Sequence, residues 1–294
     1  MQIPLAETID PLSYRYFKAI VDVIESRVGI RLPPVKQSMV EGRLRKRVRA
    51  LGLASVNDYA NHVFDRGHLE EEFANLVDCL TTNKTDFFRE PSHFEFLRDV
   101  AVPSLVKLRG SRAPNLKIWS AACSNGAEGY TIAMVLQEMA RNRHDFRFSI
   151  LGTDISTDVL REARAAIYSR SFIDPVPTAL RQRYVMVAKT AGRDAARIVP
   201  ELRAMTSFER LNLMDPRYPL DQDVDVIFCR NVLIYFDKPT QQAVVERLSS
   251  HLRPGGYLIL GHSESMAGSG VVGLTQVVPT VFQVGAKSSR KSAA

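Results

Sequence analysis

The residues best suited to chemistry surround a short glycine turn that follows an apolar segment, residues 116–119. Small residues fill positions 121–126, and an acid, Asp154, lies 28 positions after Gly126. In an open α/β sheet, a strand–turn–helix unit presents backbone N–H groups to a ligand. An acid after the second strand can accept hydrogen bonds from a ribose diol. The alternative is an ordinary tight turn without a ligand, because one glycine turn is a weak signal.

The composition of the turn narrows the class of ligand. The G-x-G-x-x-G pattern of dinucleotide-binding proteins is absent, because position 124 is serine and only Gly126 and Gly129 remain. The glycine that lets a pyrophosphate approach the backbone is therefore missing. This pattern favours a nucleoside without a diphosphate, such as S-adenosylmethionine, over NAD or FAD.

The remaining pattern predicts the elements that position these residues. Ser156 is a candidate N-cap for a helix over 157–168, and Asp237 caps a helix that ends at the Arg-Pro-Gly-Gly stop signal, 253–256. The continuous apolar run 224–229 is typical of a central parallel strand, and it brings Arg230 and Asn231 to the carboxyl end of the sheet. Further strands are predicted over 146–151, 208–213, 257–260, 274–278 and 281–284, and a further helix from residue 130.

We therefore predict an α/β protein with a Rossmann-like sheet, an all-helical N-terminal domain and a small inserted β-subdomain. The predicted boundaries are a helical domain over 1–80, a packed linker over 81–110, and an α/β domain over 111–286. Within the last, regular alternation stops at about 169–206, where segments 184–187 and 196–199 predict a hairpin. This hairpin is either a passive excursion or an edge that accepts a strand from another protein. The small, polar residues 287–294 predict a disordered tail.

Composition excludes several classes of protein. The 294 residues are 45% hydrophobic and 24% charged, as in globular proteins, and no apolar run is long enough to span a bilayer. The N-terminal residues lack the pattern of a signal peptide. Cys79, Cys123 and Cys229 are predicted to be free thiols in a reducing cytoplasm. No spacing of cysteine and histidine indicates a metal site, so none is predicted.

The net charge of +7 suits nucleic acid, an anionic membrane or an acidic protein as a partner, and it does not choose among them. The strongest local concentration of positive charge lies on a helix predicted over 35–51. Arg45, Lys46 and Arg49 fall opposite the apolar face of this helix, and Arg43 lies beside them. A run of charge is usually only a solvated face, but one sign dominates here. We therefore favour a docking surface for an acidic partner.

Five motifs, taken in chain order, carry a resemblance to a known family. They are TTNKTDFFRE, WSAACSNGAEGYTIAM, GTDIS, FCRNVLIYFD and LRPGGYLILGHSES. Together with the helical N-terminal region, they resemble the chemotaxis receptor methyltransferase (CheR) family over about residues 10–285. The turn departs from the family's common GEEPY, because Gly129 replaces proline, and we expect a modest effect on cofactor affinity.

The resemblance implies an enzyme that transfers a methyl group from S-adenosylmethionine to glutamate carboxylates on the cytoplasmic helices of chemoreceptors. It implies a catalytic pair, Arg89 and Tyr235. It also implies a cofactor-binding set that comprises Asn83, Thr85, Arg89, Glu128, Asp154, Asn212, Leu213, Arg230 and Asn231. Some members of the family grip a receptor C-terminal tail peptide, for which the inserted β-subdomain is the candidate site. We further expect a cytoplasmic monomer recruited to receptor clusters, without membrane insertion.

Glutamate is ionised at neutral pH, with a reference pKa of about 4.3, so methylation of its carboxylate requires no general base. His262 and Glu264 could be an acid/base pair, but we interpret them as structural or pocket-wall groups. In this scheme, Arg89 pairs with a carboxylate and Tyr235 orients the substrate, although Tyr235 is also compatible with a half-buried core aromatic. Two other functions remain possible from the residues alone. They are a nucleic-acid methyltransferase, although the N/D-P-P-Y/F tetrapeptide is absent, and a non-catalytic adaptor that binds S-adenosylmethionine.

Overall fold

The computed structural model describes residues 11–110, 113–188, 194–264 and 270–285. The chain divides into two compact units, Met1–Thr82 and Asn83–Ala294. Within the described ranges, no helix is both long and apolar enough to cross a lipid bilayer. The disordered tail predicted for 287–294 lies outside these ranges. So do residues 191–193 of the hairpin turn, which the sequence predicts at 191–194.

The N-terminal unit is built from helices, as the apolar periodicity predicts. Ser13 and Ser55 cap two of them, since each hydroxyl oxygen accepts a backbone N–H three residues later. The inward faces carry fully buried side chains such as those of Ile20, Leu44 and Leu76. The helices are α1 (Tyr14–Val28), α2 (Gln37–Ala50), α3 (Val56–Ala60) and α4 (Leu69–Leu80), with a π-helical turn (Asn61–Asp65) continuing α3.

A buried ion pair connects α2 and α4. Arg47 Nε donates to Glu72 Oε2 at 2.7 Å, and Tyr59 Oη donates to the same oxygen at 3.4 Å. The side chain of Glu72 is only 7% exposed. The hydrogen bond from Arg47 lowers the pKa of Glu72 below its ordinary value, although burial acts in the opposite direction.

The second unit is organised around a seven-stranded sheet with strand order β6-β2-β1-β7-β8-β10-β9. The first five strands in this order are parallel, and β10 is antiparallel to both of its neighbours. As predicted, β7 is central and all six of its residues are buried. The strands are β1 (Asn115–Ala121), β2 (Arg147–Asp154), β6 (Thr206–Arg210), β7 (Val224–Cys229), β8 (Leu252–Leu260), β9 (Leu274–Val278) and β10 (Val281–Val284).

Helices and a small second sheet complete this unit. The inserted hairpin is confirmed as β4 (Val185–Val187) with β5 (Ala196–Ile198), and a third strand, β3 (Ile167–Tyr168), pairs with the other side of β5. The helices are α5 (Ser92–Phe96), α6 (Val102–Arg109), α7 (Ala127–Asn142), α8 (Thr157–Ala165), α9 (Arg170–Ile173), α10 (Thr178–Tyr184), α11 (Pro200–Ala204) and α12 (Lys238–His251). A π-helical turn (Leu97–Ala101) joins α5 to α6.

Several predicted boundaries are wrong. The helix predicted over 157–168 ends at Ala165, because Ala166 is left-handed (φ 53°) and the chain then enters β3. The helix after Asp237 ends at His251, and the Arg-Pro-Gly-Gly segment lies inside β8, where Gly255 has φ 81°. The helix expected from residue 130 already begins at Ala127, so Gly129 lies in its first turn.

Candidate active site

The glycine turn and Asp154 meet at the carboxyl edge of the sheet, because β1 and β2 are parallel neighbours. Asp154 Oδ2 accepts the backbone N–H of Ser124 at 2.9 Å, and its Oδ1 accepts that of Ser156 at 2.9 Å. The carboxylate therefore fixes the turn after β1 and the start of α8 at once. The hydroxyl of Ser124 donates to the Asn83 carbonyl at 2.8 Å, which attaches the segment before α5 to the same turn.

Close packing explains why two glycines are needed at this edge. A Cβ at Gly126, which has φ 86°, would lie 2.9 Å from Ala163 Cβ and 3.0 Å from Phe208 Cζ. A Cβ at Gly152 would lie 2.6 Å from Phe208 Cδ1, which is closer than real Cβ contacts. The turn and the end of β2 therefore share the space around one aromatic ring, that of Phe208.

The turn contains further left-handed residues that are not glycine. Ala122 has φ 57° and Ser124 has φ 51°. Phe88, Glu90 and Asn231, which lie in segments bonded to this edge, have φ between 55° and 59°. Such conformations are strained for residues with a Cβ, and they concentrate at functional sites.

Arg230 follows β7 and is the centre of a buried ionic network. Its Nη1 donates to Glu128 Oε2 at 2.9 Å, and its Nη2 donates to Glu90 Oε2 at 3.0 Å and to the Arg89 carbonyl. Glu128 Oε1 also accepts the hydroxyl of Ser120 at 2.6 Å. The Arg230 side chain is only 2% exposed, so its charge is compensated almost entirely by these two carboxylates.

Glu264 holds the backbone that follows Arg230. Its carboxylate accepts N–H groups from Asn231 (2.8 Å), Val232 (2.8 Å), Leu233 (2.7 Å) and Gly261 (2.6 Å). Burial raises the pKa of Glu264, and these four bonds act in the opposite direction by favouring the charged form. Glu264 thereby fixes the chain that enters a 3₁₀ turn, Leu233–Tyr235, where Tyr235 is half-buried.

The segment 83–91 is packed rather than a flexible linker. Phe87 is 1% exposed, and the N–H of Phe88 donates to Thr131 Oγ1 on α7 at 3.2 Å. Arg89 is half-buried, and its Nη1 donates to the Lys84 carbonyl at 3.0 Å. Thr85 is half-buried in the same segment.

Asn212 and Leu213 follow β6, the edge strand beside β2. Asn212 Oδ1 accepts the N–H of Met214 at 3.0 Å, and the Leu213 carbonyl accepts the hydroxyl of Tyr218 at 2.8 Å. In the register of the sheet, Asp154 lies opposite Arg210. Asn212 and Leu213 therefore lie just beyond the end of β6, next to Asp154 at the end of β2.

The structure thus connects most of the residues implied by the resemblance. One set of contacts joins Asn83, Ser124 and Asp154, and another joins Glu128, Arg230, Asn231 and the Arg89 backbone. Among the described residues, no hydrogen bond joins the side chains of Arg89 and Tyr235. The sequence analysis did not assign roles to Ser120, Ser124 or Glu90, and it treated Glu264 only as a structural or wall group. Their position within the quoted motifs was the only available signal.

The basic residues of the predicted docking face on α2 differ in their contacts and their exposure. Arg43 Nη1 donates to the Leu80 carbonyl at 2.7 Å and thereby serves the end of α4. Arg45 pairs with Glu41 at 3.0 Å and remains 40% exposed. Lys46 and Arg49 are exposed.

Two family models match the chain. Residues 83–279 match "CheR methyltransferase, SAM binding domain", and residues 15–81 match "CheR methyltransferase, all-alpha domain". The parallel sheet, its glycine turn and the first match define an S-adenosylmethionine-dependent methyltransferase. The chain belongs to the CheR methyltransferase family, and the predicted resemblance is confirmed.

Curated relatives agree over most of their length. A chemotaxis protein methyltransferase of Borreliella burgdorferi is 36% identical, with 90% of this chain and 92% of the relative covered. A probable chemotaxis protein methyltransferase of Rhizobium etli is 39% identical, with 84% and 91% covered. Chemotaxis protein methyltransferase 2 of Pseudomonas aeruginosa is 39% identical, with 85% and 86% covered.

Proposed function

We propose that this chain transfers a methyl group from S-adenosylmethionine to glutamate side-chain carboxylates of chemoreceptors and so forms glutamate methyl esters. The observation that carries the proposal is the match to both CheR domains, together with relatives named as chemotaxis protein methyltransferases over nearly their whole length. No feature of the site favours nucleic acid as the substrate.

Methylation of a carboxylate requires little proton transfer by the protein. When bound, S-adenosylmethionine supplies a methyl group on a sulfonium, and a glutamate carboxylate is already the charged nucleophile at neutral pH. The protein's task is to remove water from the carboxylate and to align it. A site that consists of fixed backbone turns and buried ion pairs supports this reading.

We place the adenosyl group at the carboxyl edge of the sheet. Gly126 and Gly152 let the turn and β2 pack around Phe208, and Asp154, at the end of β2, offers carboxylate oxygens suited to a ribose diol. We assign Asp154 to the ribose hydroxyls. We assign the remaining cofactor contacts to Asn83, Thr85, Arg89, Glu128, Asn212, Leu213, Arg230 and Asn231. Because Glu128 and Arg230 bind each other, part of their contribution is to hold the surrounding segments.

The catalytic pair is proposed as Arg89 and Tyr235. The guanidinium of Arg89 is suited to paired hydrogen bonds with a carboxylate. The phenol of Tyr235 can donate one further hydrogen bond that orients the substrate. Glu264 supports this arrangement, because it fixes the backbone immediately before Tyr235.

Two surfaces are proposed for receptor contacts. The first is the basic face of α2, formed by Arg43, Arg45, Lys46 and Arg49. Lys46 and Arg49 are the better candidates for direct contact because they are exposed. Arg43 contributes mainly by binding the end of α4. The second is the outer edge of the small sheet, where Met186 is 43% exposed and Val187 48% exposed, for a receptor tail peptide. We further propose that the enzyme acts as a cytoplasmic monomer recruited to receptor clusters.

Methyl transfer to receptor-containing membranes tests the proposal. The purified chain is incubated with S-adenosylmethionine labelled in its methyl group, and label is sought in receptor protein. Glutamate methyl esters release volatile labelled methanol in mild alkali, whereas methylated amines and bases do not. Alkali-labile receptor label is expected, and label confined to nucleic acid or to alkali-stable protein would overturn the proposal.

The docking face is tested in the same assay. The variant Lys46→Glu/Arg49→Glu is expected to bind S-adenosylmethionine normally but to methylate receptor membranes more slowly. Lys18→Glu/Arg31→Glu, at two exposed positions elsewhere in the helical unit, makes the same change in net charge and is expected to keep the wild-type rate. Equal rates for the two double variants would contradict a docking role for α2.

A further inference from the structure

The residues around Glu90 contain a second arrangement of chemically active groups, in which Glu90, His93 and His262 converge. One ligand-capable atom from each lies within 4.8 Å of the others. Glu90 Oε2 and His93 Nδ1 are 3.4 Å apart, and the two imidazole rings meet edge to face with centroids 4.8 Å apart. Glu90 and His93 are three residues apart, but His262 comes from a distant part of the chain, so local spacing in the sequence did not reveal the cluster.

His93 Nε2 lies 3.0 Å from Thr280 Oγ1, so Nδ1 is the ring nitrogen left to face the cluster. The Thr280 hydroxyl also lies 2.7 Å from the Pro279 carbonyl, and donation to that carbonyl makes its oxygen an acceptor for a proton on Nε2. In this tautomer, Nδ1 presents a bare lone pair. This Nδ1 is buried and has no hydrogen-bond partner among the described residues.

In this tautomer, two acceptors are neighbours. The His93 side chain is 3% exposed, and its Nδ1 lies 3.4 Å from Glu90 Oε2, which also accepts Arg230 Nη2 and the backbone N–H of His262. Buried acceptors in this relation repel each other unless a positive species lies between them. The 3.4 Å separation suits two donors bound to one ion at the usual metal–ligand distances of about 2.0–2.2 Å.

We propose that Glu90, His93 and His262 form a binding site for a divalent transition-metal ion, with Zn²⁺ as the working ion. Two imidazoles and one carboxylate suit such ions better than Mg²⁺ or Ca²⁺, which prefer oxygen ligands. The His93 Nε2–Thr280 bond is the outer contact that commonly orients a metal-binding histidine. Arg230 pairs with both Glu90 and Glu128, so these two carboxylates and one guanidinium together carry one negative charge.

The bound ion would connect three segments of the second unit. Glu90 belongs to the segment that contains Arg89, His93 to α5, and His262 to the loop after β8. The backbone N–H of His262 already donates to Glu90 Oε2 at 3.2 Å, so two of the segments are in contact without an ion. The ion therefore reinforces an existing junction, and this inference does not depend on the identity of the methyl acceptor.

Zinc binding to the full chain, prepared without an affinity tag, tests the site. Equilibrium dialysis against Zn²⁺ with metal analysis is expected to give one tight equivalent per chain. Co²⁺ in its place is expected to give the visible absorption of a low-coordinate site. His262 is exposed, so His262→Gln should fold, and it is expected to weaken binding about tenfold or more.

His93→Gln provides the second arm, and His144→Gln, at an exposed histidine elsewhere in the unit, provides the matched control. His62→Gln controls for the His62–His68 stack in the helical unit, where the ring centroids are 4.1 Å apart. Loss of the tight equivalent in His262→Gln and His93→Gln, but in neither control, supports the site. Absence of saturable Zn²⁺ binding, or binding unchanged by His262→Gln, would overturn it.

Discussion

Replacement of Glu264 by glutamine tests whether this one carboxylate holds the loop before Tyr235. Four backbone N–H groups reach the carboxylate at 2.6–2.8 Å, distances typical of charge-assisted bonds. Glutamine keeps one acceptor oxygen and places an NH₂ group against two of the donors. The variant therefore loses two bonds of about 1.5–3 kcal/mol each.

Relief of the buried charge offsets part of this loss, since burial raises the pKa of Glu264. We expect a net decrease of about 2–4 kcal/mol in the free energy of unfolding of the second unit. The chain has one tryptophan, Trp119, and it is buried in β1, so its fluorescence during urea unfolding reports this unit specifically.

Glu246→Gln, at an exposed position on α12, is the matched control and should change stability by about 0.5 kcal/mol or less. A Glu264→Gln midpoint as close to wild type as that of Glu246→Gln, with an unchanged slope, would refute the reasoning. The four short bonds would then not stabilise the loop.

Three further outcomes are expected. Asp154→Ala should weaken S-adenosylmethionine binding on the order of a hundredfold or more in calorimetry, because charged hydrogen bonds to two hydroxyls are lost; unchanged affinity would contradict the assigned pocket. Gly126→Ala should destabilise the second unit by about 1–3 kcal/mol in urea, since its Cβ would meet Ala163 at 2.9 Å and its φ is 86°. Arg47 lowers the pKa of Glu72, so the unfolded helical unit binds a proton more readily and stability should fall as the pH drops below about 4.5. Glu72→Gln should flatten this pH dependence of stability, measured by circular dichroism. An acid-unfolding profile identical to that of the wild type would contradict the prediction.

The central strand β7 was predictable because burial on both faces leaves a continuous apolar run. The segment Val224–Cys229 was predicted with its observed bounds for this reason. The end of α8 was not predictable, because Ala166 adopts a left-handed conformation that alanine rarely takes, and nothing local marks it. The Arg-Pro-Gly-Gly segment resembles a stop signal, yet it continues as the start of β8 with an irregular register beside β7.

The residues of the candidate site also differ in how far local sequence predicts them. The position of Asp154 at the end of the second strand was predictable, because it depends only on the order of elements. The role of Glu264 depends on four N–H groups brought together by tertiary structure, which no local pattern records. Arg43 has a second contact that its charge did not predict. Its guanidinium donates to the Leu80 and Thr81 carbonyls at the end of α4, a long-range contact that no local pattern records.

The ring of Phe208 has a consequence for anyone who seeks to redesign this enzyme. It lies against the Cβ positions of Gly126 and Gly152 at once, so these three residues behave as one steric unit. Enlarging either glycine alone produces a clash. A smaller side chain at position 208 should therefore make room for Gly152→Ala, but not for Gly126→Ala, whose Cβ would still lie 2.9 Å from Ala163 at a φ of 86°.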